Sequence, residues 1–151
     1  MKQNELKRKE RELIDSNPFK ERMKFFIEYP KILERTRLNL DGRNEIPNCE
    51  GMSLWVARVI NPPLPIYLEQ EETRRFLDLM KPGKVPGSIQ VWKGRDPKET
   101  WSHATIYLGQ KSDLEFSFWY EWKKPLEIKY YKAGIIFDNY IINYFVPNTL
   151  K

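Results

Sequence analysis

Apolar residues recur with two periods along this chain, and the change between them falls near Gly87. Before it they fall three and four residues apart, the spacing of one helix face. Residues 3–15 are strong helix formers, with Glu5 and Lys9 at i,i+4. Leu6, Leu13 and Ile14 give this first helix only a thin apolar stripe. Asn17-Pro18 ends it and opens a second, in which Phe19, Met23, Phe26 and Ile27 form a core-facing stripe. Pro30 interrupts, and Ile32 and Leu33 carry helical spacing on to about Leu40, before a turn at Asp41-Gly42-Arg43-Asn44. Asn48, a good N-cap behind Pro47, opens a helix to about Ile60, which Asn61-Pro62-Pro63 closes. Glu69 to Met80 is a further helix, with acids in its first turn and Lys81-Pro82-Gly83 after it.

After Gly87 the period becomes two. Ile89 and Val91, then Ala104-Ile106-Leu108, Leu114-Phe116-Phe118, Leu126-Ile128 and Tyr140 to Val146 read as strands. Helices followed by strands predict an α+β fold, with N-terminal helices packed on a mainly antiparallel sheet of about five or six strands. Residues 1–40 are expected to form a helical extension packing on a core domain over 41–151.

Composition narrows the picture. At 151 residues the chain can bury a core, and 14% aromatic content, much of it after residue 90, favours a packed sheet over a disordered chain. No apolar run is long enough to span a membrane, and no apolar h-region follows the charged start, so the default compartment is the cytoplasm. A net charge of +5 suits an acidic polymer without selecting one. Nucleic acid is disfavoured, because Glu5, Glu10 and Glu12 interleave with Lys7, Arg8, Lys9 and Arg11 as on a solvated helix.

Candidate chemistry rests on the only cysteine and the only histidine. A lone cysteine is ordinarily a small core residue, and Cys49 shares a helix face with Met52, Val56 and Val59. As the first helical residue, however, its thiol would meet unpaired backbone N–H groups and the positive end of the helix dipole. Its own N–H is a donor for an oxyanion, and Gly51 leaves room either for a substrate backbone or for close packing. Alternation places His103, Thr105 and Tyr107 on the polar face of their strand. One Cys and one His do not make a structural zinc site without two carboxylates, so neither metal nor cofactor is expected.

Three fragments carry a family resemblance. Asn48-Cys49-Glu50-Gly51-Met52 resembles the Asp-Cys-Ser-Gly-Leu helix start of NlpC-type cysteine peptidases, a papain-like group that cuts cell-wall peptides. Pro86-Gly87-Ser88-Ile89-Gln90-Val91-Trp92 resembles that family's Pro-Gly-Asp-Leu-Val-Phe-Phe entry into the sheet. Ser102-His103-Ala104-Thr105-Ile106-Tyr107-Leu108-Gly109 resembles its Ser-His-Val-Gly-Ile-Tyr-Leu-Gly catalytic strand. The order, cysteine before histidine, is the unpermuted one. The resemblance implies a papain-like fold and a hydrolase of amide or isopeptide bonds, with peptide or peptidoglycan fragments as substrate. Its catalytic residues would be Cys49, His103 and, as the acid orienting histidine, Glu115, with Gly51, Trp101 and Ser102 beside the substrate. A tight hairpin would set Glu115 opposite Tyr107 rather than His103, and Ser117 and Glu121 are the substitutes. Glu50 departs from the family's serine, and an acid there opposes thiolate formation. A wall enzyme would need export by a signal-independent route. The competing expectation is an inactive papain-like scaffold that binds peptide or glycan through Trp92, Trp101, Trp119 and Trp122.

Overall fold

The structure, a computed structural model, describes residues 2–96, 98 and 102–150. Four α-helices, α1 (Gln3–Ser16), α2 (Lys20–Glu28), α3 (Cys49–Val56) and α4 (Gln70–Leu77), precede most of the strands. A 3-10 turn (Pro30–Glu34) and a small hairpin, β1 (Arg37–Leu38) with β2 (Asn44–Glu45), lie between α2 and α3. The main sheet is antiparallel throughout. It comprises β3 (Lys81–Pro82), β4 (Ile89–Gly94), β5 (Ser102–Lys111), β6 (Leu114–Trp119), β7 (Glu127–Lys132) and β8 (Tyr140–Val146), in the spatial order β3-β8-β4-β5-β6-β7. The α+β class and the antiparallel sheet of helices-then-strands are therefore as the periodicity predicts. Among the described residues no helix is long and apolar enough to cross a membrane.

Among the differences from expectation, β7 runs to Lys132 rather than Ile128, Lys81-Pro82 forms an edge strand, and three helical boundaries move. Helical spacing does not continue to Leu40, because Asn39 organises a turn instead. Its side-chain oxygen accepts from the Asp41 and Arg43 N–H groups at 3.0 and 2.9 Å, and its N–H donates to the Arg43 carbonyl at 2.8 Å. Gly42, at φ +82°, supplies the left-handed residue that turn needs. α3 stops at Val56 rather than near Ile60. Arg58 is left-handed at φ +59°, and the Val59 N–H returns to the Leu54 carbonyl at 2.9 Å. Arg22 of α2 caps the end, its guanidinium donating to the Trp55 carbonyl while lying 4.3 Å from the Trp55 ring centroid. α4 gives way at Leu77 to turns before β3, three residues short of Met80.

The core lies between the helices and one face of the sheet. Met52, Leu54 and Val56 of α3 meet Ile89, Ala104, Ile106 and Leu108, with Phe116 and Phe118 behind them. Leu13, Ile14, Phe19, Met23 and Phe26 of the first two helices belong to this same core, whereas Ile27 points out. The sheet's opposite face is polar, and the sheet curls around it. Tyr131 of β7 and Tyr144 of β8, on opposite flanks of β4, β5 and β6, bring their hydroxyls within 3.4 Å.

Candidate active site

Three chain segments converge where α3 begins and β5 enters the sheet. Asn48 joins two of them. Its Oδ1 accepts the Gly51 N–H and the Leu68 N–H, each at 3.0 Å, and its Nδ2 donates to the Leu68 carbonyl at 2.7 Å. One amide thus caps α3 and ties it to the segment leading into α4, which fixes Cys49 as the first helical residue. The helix is also tied to β5: Ser53 Oγ donates to the Ala104 carbonyl at 3.2 Å, and the Ala104 N–H points at the Cys49 sulfur. Cys49 thus lies by Ala104, the residue next to His103 in β5, whose side chain projects from the other face of the strand.

Cys49 and His103 line one open cleft of about 650 Å³, together with Glu50, Tyr67, Glu121 and Trp122. Among the described residues no Lys or Arg lines it. The Cys49 thiol donates to Glu50 Oε2 at 3.1 Å. Burial pushes the thiol pKa well up, the Glu50 charge adds to that, and the Ala104 N–H opposes both. Burial also raises the Glu50 carboxyl above its ordinary value. The His103 ring lies against Trp119, centroids 4.3 Å apart and tilted by 37°. Burial lowers its pKa to about 4, with Glu121 raising it and Lys129 lowering it. Both shifts favour the neutral forms at neutral pH, a thiol at Cys49 and an imidazole at His103.

The structure does not bring Glu115 to this cleft. Glu115 faces Gln110, a pairing set by the turn at residues 112–113, and a bulge between Tyr107 and Gly109 then shifts the β5–β6 register so that Ile106 faces Phe118. Glu115 instead ion-pairs with Lys84 and accepts from the Tyr107 hydroxyl at 3.2 Å. Continuing the register beyond Ile106 and Phe118 sets residue 121 opposite residue 103, and Glu121 lines the cleft. Its Oε1 accepts from Trp119 Nε1 at 3.1 Å and its Oε2 pairs with Lys124 at 2.7 Å, which hold its pKa below the ordinary carboxylate value. Ser117 lies deeper on the same face, bonded to Gln90.

Gly51 is explained by packing rather than by substrate approach. A Cβ there would fall 1.6 Å from the Ile66 carbonyl oxygen, so the backbone of residue 66 requires glycine. Trp101 lies outside the described residues, and for Ser102 only the backbone is described, opposite Lys93 in β4. The 61–70 segment, which reads as a proline-rich connection, supplies the wall residues Tyr67, Leu68 and Glu69. No periodic signal marks them, because they are placed by the Asn48 bonds to Leu68. Among the described residues no three His, Cys, Asp or Glu side chains converge as metal ligands would. Compared with protein-family models, curated proteins and solved structures, the chain matches none.

Proposed function

We propose that the chain is an NlpC-like, papain-type cysteine hydrolase that cleaves an amide or isopeptide bond, with peptidoglycan stem peptides as the substrate class the motifs suggest. One observation carries the reading: Cys49, at the capped start of α3 beside the Ala104 N–H, and His103, at the start of β5, open onto one cleft. In the reaction, neutral His103 takes the thiol proton as Sγ attacks the carbonyl carbon. The C–S bond forms, the carbonyl electrons move to oxygen, and the Cys49 N–H is a donor for that oxyanion. The imidazolium so formed faces the Glu121 charge, then gives its proton to the leaving amine as the C–N bond breaks. Water, deprotonated by His103, next attacks the thioester and returns the thiol.

A pKa near 4 keeps His103 in its basic form throughout the neutral range, though as a weak base. Glu50 holds the thiol proton in the resting site. A substrate donor that engages the Glu50 carboxylate would remove this brake and couple binding to activation. A second reading, the inactive scaffold that binds peptide, is favoured by that same hydrogen bond and by the raised thiol pKa. Release of free amine from stem-peptide substrates by the native chain and by Cys49→Ala separates the two: the hydrolase loses activity, and the scaffold has none to lose.

A further inference from the structure

The polar face of the sheet carries a network that the cysteine chemistry does not use. Gln90, fully buried, is at its centre: Oε1 accepts from Thr105 Oγ1 at 2.8 Å, and Nε2 donates to the hydroxyls of Tyr131 and Tyr144 at 3.0 and 3.3 Å. Next to it, Glu115 is 3% exposed and bonded to Lys84 and the Tyr107 hydroxyl. The Lys84 ammonium lies over the rings of Tyr144 and Tyr107, at 5.1 and 5.4 Å. Leu or Val would fill a curled sheet at less desolvation cost than these groups. Fully satisfied, the network makes this curled face of the sheet rigid.

The network borders a second cavity, of about 350 Å³, within the range of small-ligand sites. Its outer wall is the β7–β8 connection, with Ile135 and Phe137, while Ile142 and Tyr144 of β8 form the inner wall. Arg95 is fixed at this wall: its N–H donates to the Asn139 carbonyl at 3.1 Å and its Nε to the Phe137 carbonyl at 3.2 Å. Among the described residues Glu115 is the only carboxylate lining the cavity, and its pairing with Lys84 leaves the Arg95 guanidinium as the cation facing the space. Burial holds the Tyr131 hydroxyl protonated, as a donor.

We infer that this cavity is a second binding site, for a small organic acid with an aromatic or branched apolar body. The ligand carboxylate meets the Arg95 guanidinium, and its body packs on Phe137 and Ile142. The site is separate from the cleft of Cys49, since the two share no lining residue.

Titration of the full chain with phenylacetate, followed by backbone amide NMR and calorimetry, tests this. The expected result is saturable binding that shifts amides over residues 134–144 and not those of α3. Arg95→Gln, an exposed position whose loss leaves the core intact, weakens that binding about tenfold or more. Phenethylamine, the same body with the opposite charge, does not bind, and Cys49→Ala binds phenylacetate as the native chain does. Absence of saturable shifts, equal binding of phenethylamine, an unaffected Arg95→Gln variant, or shifts centred on Cys49 would each overturn the assignment. Because Cys49→Ala keeps the acid site, failure here is distinguishable from failure of the hydrolase reading.

Discussion

The Cys49 thiol donates its hydrogen bond to the carboxylate of the very next residue, Glu50, at 3.1 Å. Both side chains face the cleft, and both are pushed toward their protonated forms. The helix N-terminus that ought to favour a thiolate is thus opposed by burial and by a neighbouring acid. In the proposed reaction, burial and then Glu50 keep the thiol protonated, and Glu50 does so until a substrate competes for its carboxylate.

Replacing Glu50 tests that relationship. Glu50→Gln keeps the acceptor and removes the charge, so the Cys49 pKa falls. Iodoacetamide alkylation at pH 8 should then accelerate about fivefold. An unchanged or slower rate would show that Glu50 does not restrain the thiol.

His103 makes stability depend on pH with a definite sign. Its folded pKa of about 4 lies below the unfolded value of 6.5, so the unfolded chain binds the proton more readily. Stability should be unaffected by this group above about pH 6.5 and decline as pH falls toward 4, by roughly 3 kcal/mol in all. Urea unfolding from pH 7 to pH 4 measures it. The decline should be shallower by that amount in His103→Asn, and an identical slope in both proteins would place His103 in a solvated setting.

In the proposed reaction Glu121 acts through His103 rather than on substrate. Glu121→Gln removes the charge that raises the imidazole pKa and stabilises the imidazolium. The expected outcome is a kcat lower by about tenfold with KM unchanged, and the acidic limb of the kcat profile displaced to lower pH. A change confined to KM would make Glu121 a substrate contact instead.

Gly51→Ala distinguishes packing from substrate approach. The added methyl has no room beside the Ile66 carbonyl, so the variant should lose on the order of 3 kcal/mol in denaturant unfolding. A variant of native stability that binds substrate poorly would restore the reading of Gly51 as a substrate-facing residue.

Much of this architecture is legible in residue order. Period and caps indicate α1, α3 and the strands from β4 onward, and Asn48 is identifiable as the cap that makes Cys49 the first helical residue. What periodicity does not carry is register. The 112–113 turn sets Glu115 opposite Gln110, and the bulge beside Gly109, with the register carried past Phe118, sets residue 121 opposite His103; no alternation of side chains announces either. The Asn39 turn was likewise hidden, since a side-chain bond to the backbone overrode the helical spacing of Ile32 and Leu33. Glu50 was visible as an anomaly in its motif, but its contact with the thiol needed coordinates. The acid cavity was invisible from sequence because Lys84, Arg95, Phe137 and Tyr144 come from four separate segments.

The central claim, that Cys49 attacks and His103 takes its proton, is tested most directly by amide hydrolysis with three proteins. Purified native chain, Cys49→Ala and His103→Ala are assayed for release of free amine from peptidoglycan stem peptides. The account predicts turnover by the native chain, a loss of about a thousandfold or more in each variant, and an acid-trapped thioester on Cys49 in the native protein alone. Hydrolysis by Cys49→Ala at the native rate would contradict it.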